Sequence, residues 1–144
     1  MYSQRVRDVM ERKKILTAPP ETTVSEAAKL MAAKKVSAVM VVKDNGLIGI
    51  FTERDAVSKV IAQDRDVRTT RLADVMTTSP KTVGPEKSFG YALLMMHENG
   101  FRHVPVIDNG AVVGMVSARN ALDPDLEEFV AESHRREEIR RKGD

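Results

Sequence analysis

The chain has 144 residues, 42% of them hydrophobic and 31% charged, the proportions of a water-exposed globular protein and not of a disordered or membrane-embedded one. It contains no cysteine, which removes disulfides, thiolate nucleophiles and thiolate metal ligands together. The formal net charge is only +2 with acids and bases interleaved, and 4% of residues are aromatic, so neither a basic stripe for duplex nucleic acid nor a stacking platform for single strands is expected.

The N-terminal MYSQRVRDVMERKK is charged and lacks the apolar core of a signal peptide. No apolar run reaches the ~20 residues of a membrane span, so a cytoplasmic protein is expected. Thr23 followed three residues later by Glu26 predicts a capping box for a helix with Val24, Ala27, Ala28, Leu30 and Met31 on its apolar face. A strand from Ala38 to Val42 runs into Asp44-Asn45-Gly46, and Asn-Gly is a hairpin signal because both positions tolerate positive φ. The return strand, Leu47 to Phe51, ends at Thr52, where a second helix begins.

After the polar, nonperiodic QDRDVRTTR of residues 63–71 the series starts again. Asp8-Val9-Met10 recurs as Asp74-Val75-Met76, Thr17 as Thr82, and Pro20-Glu21 as Pro85-Glu86. A helical face of Phe89, Ala92, Leu93, Met95 and Met96 follows, stopped by Asn99-Gly100. Strands Val104 to Ile107 and Val112 to Val116 then flank Asp108-Asn109-Gly110. Asp123-Pro124 reads as an N-cap and first helical position, opening a final helix through Leu126, Phe129, Val130 and Ile139 whose SHRREEIRRK end is a solvated surface.

The division expected is repeat one at 1–63, a linker at 64–73, repeat two at 74–122 and a charged C-terminal helix at 123–144. Each repeat has the order β-α-β-β-α and is too small for a core of its own. The fold class is therefore α+β, two repeats packed sheet to sheet with pseudo-two-fold symmetry.

GIFTERD at 49–55 and GMVSARN at 114–120 end the second strand of each repeat. Thr52 with Asp55, and Ser117 with Asn120, have the spacing of a capping box, which explains them without a ligand. The glycines at 49 and 114 have no part in a cap; they let something approach the strand, and a ligand is the expected occupant. A fixed carboxylate there suits the two hydroxyls of a ribose.

The doubled unit resembles the cystathionine β-synthase (CBS) domain in its tandem arrangement, the Bateman module. The resemblance covers residues 8 to about 122 and rests on the repeat, the two G-h-x-[TS]-x-x-[DN] stretches and FRHVPVID at 101–108. It implies a non-catalytic regulatory module that binds AMP, ADP, ATP, NAD(H) or S-adenosylmethionine in clefts between the repeats. It further implies a disc-like homodimer, signalling by change of shape or of oligomer, and a separate regulated protein; no catalytic cofactor is implied.

Carried over by position, the resemblance assigns ribose to Thr52 and Asp55 in one cleft and to Ser117 and Asn120 in the other. It sets adenine against Ala38, Val39 and Met40 or against His103, Val104 and Pro105, with Thr17-Ala18-Pro19 and Thr82-Val83-Gly84 closing over the base. Phosphate falls to Arg102 and His103, with Arg54 and Arg119 as further candidates or plain surface residues. Ser37 and Ala38 stand where repeat two has Arg102 and His103, and Asn120 replaces the acid, so the Asp55 cleft is expected to be the stronger.

Two other classes compete. An enzyme needs an acid and base pair or a nucleophile in one pocket, and only Asp55, His103 and a few hydroxyls are available. A nucleic-acid or scaffold protein would use the basic tail, whose glutamates weaken that case. No His, Asp and Glu cluster has metal-ligand spacing, and Met31, Met40, Met95 and Met96 fit core positions.

Overall fold

The computed structural model describes residues 2–121 and 124–143. Asp123 lies outside the described residues, as do the side chains of Leu126, Phe129 and Val130.

Repeat one contains β1 (Thr17–Ala18), α2 (Val24–Lys34), β2 (Ala38–Lys43) and β3 (Gly46–Thr52), preceded by the short helix α1 (Val6–Val9). The expected capping box forms on α2: Thr23 Oγ1 accepts from the Glu26 amide at 3.2 Å and Glu26 Oε2 accepts from the Thr23 amide at 3.3 Å. Val24, Ala27 and Met31 face the core, whereas Ala28 and Leu30 point outward, so the buried stripe is narrower than the sequence spacing suggests. In repeat two, α4 (Leu72–Val75) and β4 (Thr77–Thr78) lead to α5 (Phe89–Asn99), β5 (His103–Asp108) and β6 (Ala111–Ser117). Gly100 ends α5 in the left-handed conformation, as expected.

Both hairpins have two-residue loops with positive φ, Asp44-Asn45 in the first and Asn109-Gly110 in the second. The first turn is thus one residue earlier than its Asn-Gly pair indicates, and Gly46 belongs to β3. The helices after the hairpins differ from expectation more. A three-residue helix, α3 (Glu53–Asp55), passes into a π-helical segment at Ala56–Ile61, and among the described residues repeat two has a 3-10 turn at Ala118–Ala121. The chain ends in α6 (Pro124–Gly143).

The two repeats exchange their opening segments. One sheet has the order β1-β2-β3-β4, so the opening strand of repeat two, β4, pairs antiparallel with β3 of repeat one. Reciprocally, Glu11 bridges Met115 of β6, with amide-to-carbonyl bonds of 2.8 and 3.0 Å. Val6 is fully buried with Val104, Val106 and Val116, while Leu72 and Val75 complete the core around Val39, Val41 and Phe51. Leu72 and Ala73, assigned to the linker, are tied to repeat one through the carbonyls of Thr22 and Pro20. Each repeat lacks a wall that its own segment does not supply, and the other repeat's lead-in provides it.

The glycines of the two heptads make room for these lead-ins. A Cβ on Gly114 would lie 2.7 Å from the Glu11 carbonyl oxygen and 2.8 Å from Met10 Sδ; on Gly49 it would collide with Met76 and meet the Thr77 carbonyl oxygen at 3.1 Å. What approaches the strand is thus the chain itself, and the expectation of a ligand against these glycines is corrected. Between the sheets a small third cluster, Ala38, Met40, Ile50 and Met115, forms the seam.

Gly114→Ala is expected to destabilise the protein by about 1–3 kcal/mol, because the obstructing atom at 2.7 Å is backbone. Gly84→Ala, where a Cβ meets nothing within 4 Å, serves as the control and is expected to stay within about 0.5 kcal/mol. Urea unfolding midpoints compare the two.

Candidate functional site

A cavity of ≈ 870 Å³ opens between the repeats where β3 and β6 end. Its walls carry Thr52, Asp55 and Lys59 from repeat one, Thr77 and Ser79-Pro80-Lys81 from the lead-in of repeat two, and Phe101, Arg102, His103, Ser117 and Arg119 from repeat two proper. The exchange of lead-ins therefore brings three separate parts of the chain to one cleft.

Thr52 and Asp55 do form a capping box. Asp55 Oδ2 accepts from the Thr52 amide at 3.0 Å and Thr52 Oγ1 accepts from the Asp55 amide at 3.2 Å. The other carboxylate oxygen, Oδ1, faces Lys59 Nζ at 3.3 Å, and Lys59 also donates to Thr77 Oγ1 at 3.2 Å. Asp55 has 13% of its side chain exposed, and its carboxylate is held by two partners, the Thr52 amide and Lys59, at the edge of the cleft. Capping and cleft-lining are both true of this residue. In repeat two, Asn120 Oδ1 accepts from the Ser117 amide at 2.8 Å and from Ser117 Oγ at 3.3 Å. Ser117 borders the cavity but Asn120 does not.

His103 Nε2 and Ser37 Oγ are 2.8 Å apart, a hydrogen bond that joins the two repeats across the cleft. Burial pushes the imidazole pKa below its usual value, with Arg102 adding to the effect and Glu53 opposing it. His103, expected with Arg102 to contact phosphate, is therefore a neutral hydrogen-bonding group at pH 7. Arg54 reaches from repeat one to the Gly100 carbonyl at 3.4 Å, and with Arg102 and Arg119 it borders the cavity.

The adenine-lining expectation does not match this cavity. None of Thr17, Ala18, Pro19, Ala38, Val39, Met40, Thr82, Val83, Gly84, Val104 and Pro105 borders it. Successive strand side chains point to opposite faces, so Val39 and Val104 enter the helix-side cores while Ala38 and Met40 enter the seam. Ala18 and Val83 are core residues too. The β4 pairing instead carries residues 77–81 to the rim, five residues or less before the loop expected there. Lys59 and Lys81 were missed, although the Asp55-x-x-x-Lys59 spacing is the signal of a helical ion pair.

A second cavity of ≈ 540 Å³ lies beside α2, with Lys35, Ser37, Phe51 and Arg119 in its wall, and includes neither Ser117 nor Asn120. Among the described residues no group of three or more His, Asp or Glu is placed to hold a metal, and no helix is long and apolar enough to cross a membrane.

Two interlocked α+β units enclosing a cation-rich cleft at their strand ends define a paired ligand-cleft module. The chain belongs to the CBS domain family, whose profile matches residues 6–62 and 72–125. It is 37% identical to the mitochondrial CBS domain-containing protein CBSX3 of Arabidopsis thaliana, over 94% of this chain and 68% of that protein. It is also 37% identical to CBSCBSPB1 of the same plant over 76% of this chain, but spans only 20% of that longer protein.

Solved structures share the fold. A hexameric CBS-CP12 protein from bloom-forming cyanobacteria has TM-score 0.79 and 28% identity, covering 86% of this chain and 69% of that one. A CBS domain protein from Pyrobaculum aerophilum complexed with AMP has TM-score 0.77 and 22% identity, covering 90% and 99%. The CBS pair of protein MJ0100, in complex with 5′-methylthioadenosine and S-adenosyl-L-methionine, has TM-score 0.74 and 23% identity, covering 90% and 98%.

The depressed pKa of His103 has a stability consequence whose sign follows from linkage. Above the ordinary histidine pKa of ~6.5 the ring is neutral in both states and contributes nothing; as pH falls below it, the unfolded chain takes up the proton first, and stability drops until the folded pKa is reached. His103→Gln, which keeps a partner for Ser37, is expected to lose less stability than the wild type between pH 7 and pH 5. Urea titrations at both values, with the ring followed by proton NMR, measure it.

Proposed function

We propose that this protein is a non-catalytic regulatory module that binds an adenosine nucleotide in the Asp55 cleft and signals by a change of shape or of oligomeric packing. The observation that carries the reading is the convergence of one well-held carboxylate with five Lys and Arg side chains in one cavity between the repeats. The carboxylate of Asp55 and the hydroxyl of Thr52 are the ribose acceptors, with Lys59 released from Oδ1 when a ribose hydroxyl takes its place. Arg102, Arg54 and Arg119 take the phosphate, His103 serves as a neutral donor or acceptor, and Ile50, Pro80 and Phe101 supply the apolar wall for the base. The AMP and S-adenosyl-L-methionine complexes of fold neighbours support the ligand class.

The Ser117 and Asn120 turn is the weaker site, since it has a neutral amide where the first has an acid. Leu30, Val57, Ile61, Tyr91 and Leu94 are large exposed apolar side chains on the helices, which supports a homodimer through the helical faces. The signal then passes to a separate regulated protein. A purely structural role for the turns has one observation in its favour, that the Thr52 and Asp55 capping box is complete without a ligand and that Asn120 Oδ1 already accepts from the Ser117 amide.

Calorimetric titration of AMP, ATP, NADH and S-adenosylmethionine into the wild type, Asp55→Ala and Asn120→Ala decides between these readings. Loss of roughly tenfold or more in affinity for Asp55→Ala, against a change of about twofold or less for Asn120→Ala, is expected. Circular dichroism of each variant checks that the fold survives. If no compound binds the wild type, the turns are caps and the nucleotide reading is wrong.

A further inference from the structure

Building on that reading, we infer that the Asp55 cleft selects ligands with a chain of two or more phosphoryl groups over AMP, and rejects adenosine compounds that carry positive charge. Among the described residues, Arg54, Lys59, Lys81, Arg102 and Arg119 border the cavity against only Glu53 and Asp55. Lys59 is neutralised by Asp55. Among the described residues Arg54, Lys81, Arg102 and Arg119 have no carboxylate partner, leaving four cations facing one exposed glutamate.

A terminal phosphoryl group brings about two negative charges and each additional one about one more. A monophosphate leaves part of this positive set unmatched, whereas a di- or triphosphate approaches balance. A sulfonium bearing a zwitterionic amino acid adds net charge of the wrong sign.

The positions of the cations spread the charge across the cleft and not at one point. Lys59 sits beside the carboxylate on repeat one. Arg54 is anchored toward the end of α5 on the opposite side. Arg119 borders both this cavity and the ≈ 540 Å³ one beside α2, so positive charge continues past the mononucleotide end. The cavity's ≈ 870 Å³ falls near the top of the ~300–1,000 Å³ range of small-molecule sites and accommodates a ligand longer than AMP.

Lys81 is held at the rim by a constrained turn. Ser79 has φ 46° although it is not glycine and precedes Pro80, and its amide donates to the Ile48 carbonyl at 3.2 Å. A residue kept in that conformation points to a fixed role for the loop it begins.

The test is titration calorimetry in magnesium-free buffer with adenosine, AMP, ADP, ATP, GTP and S-adenosylmethionine, repeated at two salt concentrations. ADP and ATP are expected to bind roughly tenfold or more tighter than AMP, with S-adenosylmethionine weakest and ATP the most sensitive to salt. Lys81→Gln and Arg119→Gln, both at exposed positions, are expected to compress the ratio of ATP to AMP affinity. AMP binding as tightly as ATP, or S-adenosylmethionine binding best, would overturn the selection while leaving the adenosine reading intact. GTP matching ATP with adenosine inert would support polyphosphate selection and remove the adenosine reading. Binding by none of them would sink both.

Discussion

Each sheet is finished by a segment that belongs, in chain order, to the other half, and the space for that segment is a missing side chain. Gly49 admits Met76 and Thr77; Gly114 admits Met10 and Glu11. Because β4 lies along β3, Thr77 comes within reach of Lys59, and Ser79, Pro80 and Lys81 arrive at the rim of the cavity. Without that crossing the cleft would lack one wall and the first core would lack Leu72 and Val75. Packing and site geometry thus have the same origin.

Asp55 shows how one side chain satisfies a folding requirement and a site requirement together. Its Oδ2 and its amide close the turn at the end of β3, which fixes the carboxylate in space. The remaining oxygen faces Lys59 and the cavity. An acceptor whose position is set by backbone bonds loses little freedom on meeting a ligand. Asn120 makes the same local contact with its amide oxygen but has no charge and no counterpart of Lys59, since Pro124 stands at the matching position. The two turns share this local hydrogen bond and differ in charge and in surroundings.

Much of this was legible in the sequence. Repetition, hairpin dipeptides and hydroxyl-x-x-acceptor turns are local signals, and they located the α2 and α5 helices, both strand pairs and the Thr52 to Asp55 turn. The exchange of lead-ins was not legible, because Val6, Leu72 and Val75 sit in short polar stretches whose partners are distant in sequence. The glycines were correctly singled out for close approach, but spacing does not say what approaches. The adenine expectation and the cavity differ for a reason legible from the start: Ala38, Val39 and Met40 alternate along a strand, so the three cannot share one face. His103 is legible as a phosphate candidate beside Arg102, but its burial cannot be read from a strand's first residue.

The seam between the sheets is small and rich in thioethers: Met40 and Met115 meet Ile50 and Ala38, whereas each repeat's own core is built largely from branched and aromatic side chains. Methionine has three rotatable bonds and adapts its shape at low cost. The lead-ins, by contrast, tether each half to the other through paired backbone and cannot separate without breaking hydrogen bonds. The molecule is consequently a pair of stiff bodies with a compliant gasket between them and straps at both edges. Such an assembly yields in rotation before it yields in separation, so the mouth of the cleft can widen or narrow while both cores stay closed.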